Sequence, residues 1–400
     1  MNNYRLLILI NAFFFAAIGI SAPQLSIFFE EELATSKATI AIILTSLGAA
    51  MIIGNYAWGR LSDWMGRRKP IWIGGLFGVA LAFFGLSQAP TMEFAWGARV
   101  IGALAAAAYT TLSLAIITDV LASTEFRTQS NDEAGNKKGQ QMGFYRGLGS
   151  LAFAVGATLG GFLADAVSLR AIFVACSVLY FAAAMCGLLL KESVSLGAEP
   201  VANSETDMTL SDERFNEGKR LPLLFLAGVL LWIMAHSASA SMWPNYMRYL
   251  GYSKAWVGSL WGLAAFVEFP AMYLAGIASD LVGTVVMLAA GGLLIGIVNT
   301  GYLLLASYLP ALLTIQVVRG FGFGSYTTSA MTFTTDFGAQ HTRGRTSGLF
   351  YTVASTGQLL GSYLGGTLAD WQGFGFMYGF CAATALCAGI CFLLLRRHHR

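Results

Sequence analysis

Twelve apolar runs, each close to the ~20 residues that a helix needs to cross a bilayer, fill most of this 400-residue chain. They leave few folds open, because in lipid every backbone amide must be satisfied within its own helix or in a closed barrel. The runs lack the ~10-residue length and the period-two alternation of barrel strands, so they read as helices. They fall at Leu6 to Phe28, Thr39 to Trp58, Ile71 to Ala89, Phe94 to Thr118, Gln141 to Ala164 and Ala171 to Leu190. The second set falls at Leu221 to Met247, Trp256 to Ser279, Thr284 to Ala306, Leu309 to Thr332, Thr346 to Ala369 and Phe374 to Leu395. Charged residues make up 11% of the chain, against roughly 25% in a soluble domain. The expectation is an all-α membrane protein with twelve transmembrane helices. Its first run opens with Arg5 and holds Ser21, Ala22 and Pro23, as a secretory signal does, but it is too long for such a core and counts as a helix.

Basic residues orient the spans. With the N-terminus inside, the inner connections hold Arg60, Arg67, Arg68, Lys69, Lys137, Lys138, Lys219, Arg220, Arg343 and Arg345 among others, and the outer ones only Lys37, Arg170, Arg248 and Lys254. Both termini are therefore expected in the cytoplasm. The net charge of +3 reflects this topology; no dense basic face points to nucleic acid. Cys176, Cys186, Cys381, Cys387 and Cys391 sit among apolar neighbours without metal-ligand spacing, so neither a metal nor a cofactor is expected. No Asn-x-Ser/Thr sequon occurs, which leans toward a bacterial inner membrane.

The chain also repeats itself. Gly59, Asp63 and Gly66 of "GRLSDWMG" recur as Gly276, Asp280 and Gly283 of "GIASDLVG", each 217 positions on, and Asp119 recurs as Asp336 at the same offset. "GATLGGFLAD", Gly156 to Asp165, recurs as "GSYLGGTLAD", Gly361 to Asp370, at an offset of 205. Matched segments in the same order, six spans apart, imply two parallel six-helix repeats related by an axis along the membrane normal. Residues 1–190 and 221–400 are the expected halves, and the polar stretch 191–220 the cytoplasmic linker.

"GRLSDWMGRRK", Gly59 to Lys69, resembles the signature loop between helices two and three of the major facilitator superfamily, G-x-L-x-D-x-x-G-R-R/K. The resemblance implies a transporter whose halves rock about a central cavity, here expected as a monomer. It implies an inner gate built from Gly59, Asp63, Gly66, Arg67 and Arg68, with Asp63 facing a helix N-terminus in the other half and Arg67 paired to Asp119. The C-half copy keeps Gly276 and Asp280 but lacks the basic pair, so the gate is expected to be asymmetric.

Charges inside the spans are the candidate binding groups. Glu268 lies near the middle of the eighth span, where an acid costs roughly 2.5–3.5 kcal/mol to insert and normally faces a cavity or a partner. It suits binding a proton or a polar substrate, and it resembles a helix-eight glutamate of sugar and nucleoside proton symporters. Arg319, in the same half, is its favoured partner. Arg146, in "MGFYRGLG", resembles the substrate-contacting Arg of helix five in those symporters, and Phe153 would then fall at a sugar-stacking position. Arg99 fits the family's helix-four Arg-x-x-Gly region, tied to proton coupling. His236 is a second candidate proton site, and Asn11, Gln24, Gln316 and Gln358 are candidate cavity-lining groups.

These features point to a secondary active transporter, expected as a proton-coupled symporter of a small polar solute such as a sugar or nucleoside. The rival is a proton-coupled antiporter exporting drugs or other amphipaths. Such antiporters often carry G-P-x-x-G-G in helix five, where this chain has Ala157 in place of the Pro. No H-E-x-x-H, G-x-S-x-G or P-loop occurs, which argues against an enzyme or an ATP-driven pump.

Overall fold

The computed structural model describes residues 3–122, 138–190, 221–337 and 343–398, and all regular elements among them are α-helices. In chain order they are α1 (Asn3–Glu31), α2 (Lys37–Met65), α3 (Lys69–Ser87), α4 (Met92–Ala122), α5 (Lys138–Ala166) and α6 (Leu169–Leu188). After the linker stretch, which lies outside the described residues, come α7 (Leu223–Tyr249), α8 (Lys254–Val282), α9 (Thr284–Leu305), α10 (Leu309–Phe337) and α11 (Arg343–His398). The 56 residues of α11 are broken at Gly373, whose φ of 80° and ψ of 174° are not helical, and the last two apolar runs are the two arms of this element.

Ten of these helices are long and apolar enough to cross a membrane. The exception, α10, carries Gln316, Arg319 and a hydroxyl-rich stretch from Ser325 to Thr335, which lowers its hydropathy. Its polar groups turn inward: Gln316, Arg319, Ser325 and Ser329 are buried. Large apolar side chains such as Ile53, Leu81, Ile101, Val178 and Ile297 instead cover the outside, as lipid contact requires.

Local chemistry sets the helix ends. Ser36 and Ser253 cap α2 and α8, their side chains accepting from the amides of Thr39 and Trp256. Both caps and both donor residues stand 217 positions apart. The Gly59 to Lys69 stretch corrects one expectation: it is not a loop of ten residues. α2 continues through Met65, and the turn is confined to residues 66–68, where Gly66 (φ 62°) closes the helix with a left-handed C-cap. Gly283 (φ 95°) ends α8 at the equivalent point.

α1 packs against α5 and α6, α3 against α4 and α6, and α2 against α4. In the second part of the chain, α11 packs against α7 and α9, and α10 against α8 and α9. Two long contacts join the parts, α5 with α8 and α2 with α11, with α1 against α7 between them. The α5–α8 contact is tight because Gly161 and Gly258 meet backbone to backbone, leaving no room for a side chain at either position.

Candidate functional site

A cavity of ≈520 Å³ lies between the two parts, within the range of small-molecule sites. α1 gives it Phe14, Ser21 and Ser26; α2 gives Leu44 and Met51; α3 and α4 give Phe83, Arg99 and Thr110. Across from them stand His236, Ser237 and Ser241 of α7, Trp261 of α8, and Gln358 and Ser362 of α11. Among the described residues the wall is mainly aliphatic and aromatic, with scattered hydroxyls, one guanidinium and no carboxylate.

Arg99 stacks over the ring of Phe83 at 4.6 Å. Its Nε is buried and finds no hydrogen-bond acceptor among the described residues. His236 stacks on Trp232, with ring centroids 5.1 Å apart, and separates the main cavity from a small chamber lined by Asn299, Tyr302 and Arg319. Arg319 is buried, lies over the Trp261 ring at 5.1 Å, and acts electrostatically on Glu268, His236 and Tyr302. Glu268 itself is half-buried and forms no direct ion pair with Arg319 among the described residues; it does not line the cavity. It falls seven residues after Trp261, hence on the same helix face about two turns further along.

Of the polar candidates, Gln358 lines the cavity, whereas Asn11 is engaged in packing, giving its Nδ2 to the Tyr145 carbonyl at 2.9 Å and accepting from the Tyr109 hydroxyl at 3.2 Å. Gln24 and Gln316 are also buried away from it, and Phe153 stands outside its wall. The side chains of Arg146 and Asp119 lie outside the described part of the structure.

The two faces of the bundle differ. At the face where α1 ends, the run Glu30, Glu31 and Glu32 gathers the basic residues of four other segments. Glu31 accepts from Arg248 Nε at 2.6 Å and Lys254 Nζ at 3.1 Å, Glu30 pairs with Lys37 at 3.2 Å, and Glu32 with Arg170 Nε at 2.8 Å. Asn245 donates to the Ser26 carbonyl at 3.1 Å and to Glu30. The Asp165 carboxylate accepts from the backbone amides of Lys254 (3.1 Å) and Ala255 (2.7 Å), capping the start of α8. At the opposite face, Asp63, Arg67 and Asp280 are exposed, while Arg68 is half-buried. A side chain added at Gly66, Gly276 or Gly283 would meet nothing within 4 Å, and at Gly59 only Thr111, at 3.7 Å. Among the described residues, ion pairs and a helix cap hold the glutamate face closed, and no hydrogen bond or ion pair joins the two parts at the motif face.

The sequence alone does not single out the acidic triplet or Asn245, and it marks Asp165 only as the end of a repeated motif. The signal is present all the same: three consecutive acids end the first span, opposite the four outer basic residues.

Helices packed around a central chamber, closed toward one side of an apolar belt, are the architecture of a membrane transport protein. The sequence model of the Major Facilitator Superfamily matches residues 7–276 and 224–400. The chain belongs to that superfamily. It is 24% identical over 378 residues to an uncharacterised MFS-type transporter of Methanocaldococcus jannaschii, covering 93% of this chain and 92% of that one. It is 23% identical over 372 residues to a Deinococcus radiodurans protein provisionally described as a sugar efflux transporter, with 93% and 92% covered. Among solved structures, a point-mutant form of the nucleoside transporter NupG shares its fold at a TM-score of 0.79 and 14% identity, over 98% of this chain and 100% of that one.

Proposed function

We propose that this protein is a twelve-span secondary transporter with two parallel six-helix halves and cytoplasmic termini, acting as a monomer by alternating access in a bacterial inner membrane. The carrying observation is the cavity between the two parts, sealed at the glutamate face and loose at the motif face. The repeated caps, glycine stops and motifs at one offset support the parallel halves, and the basic residues of the motif face support its cytoplasmic side. This conformation is then the inward-open one, with the gate around Gly59, Asp63, Arg67 and Gly276 disengaged.

The solute is small and amphipathic, since hydroxyls punctuate a largely apolar wall. Proton coupling runs through Glu268, with Arg319 as the counter-charge that holds it in the membrane. A nucleoside symporter is the second reading, favoured by the flat aromatic surfaces of Phe14, Phe83 and Trp261 around the cavity and by the fold shared with NupG. The test is proton movement in proteoliposomes holding a pH dye, with amphipaths, nucleosides and sugars added in turn. A transported solute drives proton flux in the native protein; Glu268→Gln abolishes that flux while solute exchange continues. Normal coupling by Glu268→Gln removes this carboxylate from the mechanism.

A further inference from the structure

The two intramembrane arginines whose side chains are described live in different electrostatic settings. Arg319 lies in the field of the Glu268 carboxylate, though the two form no direct ion pair among the described residues. Arg99 has no such carboxylate: among the described residues no acid lines the cavity, and no ion pair to Arg99 forms. A guanidinium stays protonated in any protein environment, and Arg99, half-buried in the cavity wall, is partly withdrawn from water with no counter-charge among the described residues, which costs free energy. The Phe83 ring covers one face of the group at 4.6 Å and offsets part of that cost. It supplies no hydrogen-bond acceptor, and the Nε finds none elsewhere among the described residues. Ser26, which also lines the cavity, has a buried hydroxyl without a partner. Both unsatisfied groups lie toward the sealed end of the chamber: Ser26 in the last turns of α1 and Arg99 about two turns after α4 begins.

We propose that the cavity recognises its solute by an anionic group, a carboxylate, held by Arg99 at the sealed end, with the apolar body of the solute lying along the wall toward the loose face. A carboxylate fits the planar fork of guanidinium donors and gives them the charge-assisted bonds that the protein withholds. The solute class is thus an amphipathic monocarboxylic acid. A neutral sugar or a cationic drug leaves the charge uncompensated, and a cation adds a second one. The inference rests on the reading of this cavity as the substrate site.

The experiment measures binding to the detergent-purified full chain by the fluorescence of its tryptophans, Trp261 being part of the wall. The probes are matched aryl and alkyl series, from phenylacetate to decanoate, each acid compared with its primary amide and its amine. Each acid that binds is expected to bind about tenfold more tightly than its amide, the scale of one charge-assisted contact, with no measurable binding of the amine. Arg99→Gln is expected to bring acid and amide within about twofold, and the cavity-filling Ala22→Trp to abolish both. Should Arg99→Gln fail to fold, Arg99→Lys is the second variant: it retains the charge but loses the fork, so the acid stays preferred with weaker binding. Equal binding of acid and amide, blocked by Ala22→Trp, overturns the carboxylate and leaves the cavity as the site. A preference that survives Arg99→Gln overturns the role of Arg99. Binding that ignores Ala22→Trp, or none by any probe, overturns the proposal together with the cavity reading.

Discussion

At the residue scale, a charge in an apolar helix is easy to find in the sequence and hard to orient. Glu268, Arg319, Arg99 and His236 are all legible as polar groups inside apolar runs. Which of them meet the cavity is not, because helices apolar on every side give no face to read. The structure puts Arg99 and His236 on the wall, Arg319 behind His236, and Glu268 two turns beyond Trp261. The acidic triplet escapes notice for another reason: orientation is read from Lys and Arg, and acids contribute little to that rule. Glu31 nonetheless holds two cations from the second part of the chain. Both pairs are about one-third exposed at most, so each contributes about 0.2–1 kcal/mol. Glu31→Gln is expected to raise the population open at the glutamate face a few-fold, measured as a spin-label distance across that face. An unchanged distance distribution would show that the pairs contribute nothing to closure.

At the element scale, the spans follow directly from the apolar runs, whereas their ends do not. A loop and an exposed helix end accept Asp63 and Trp64 equally well, and only the left-handed demand at Gly66 decides. The paired motifs Gly156 to Asp165 and Gly361 to Asp370 are visible as a repeat, yet their ends are used unequally. Asp165 caps α8, while Asp370 is exposed and makes no corresponding bonds to α2 among the described residues. Losing a cap costs about 1 kcal/mol. Asp165→Ala should therefore shift the closed-to-open ratio at the glutamate face roughly fivefold toward open, and Asp370→Ala should leave it near the native value. Equal effects of the two variants in the same distance measurement would contradict the asymmetry.

At the scale of the whole molecule, the proposed alternating-access cycle makes the two faces one lever: as the parts rock, closing one face opens the other. Asp63 is disengaged here, so Asp63→Asn is expected to leave insertion and the sealed glutamate face unchanged while slowing transport, as followed by solute uptake in oriented vesicles. Full-rate uptake by a well-inserted Asp63→Asn would remove it from the gate. On that proposal the closed glutamate face also bears on the rate of the cycle. In that proposed cycle, Arg248 and Lys254 on Glu31, Asn245 on Ser26 and Glu30, and Asp165 on the start of α8 must all separate each time the chamber opens at the glutamate face. A bound solute can offset that separation through its own interactions with the wall; the empty carrier has nothing to set against it. Reset of the empty chamber becomes the slow step, and labelled solute should swap across the membrane faster than it accumulates.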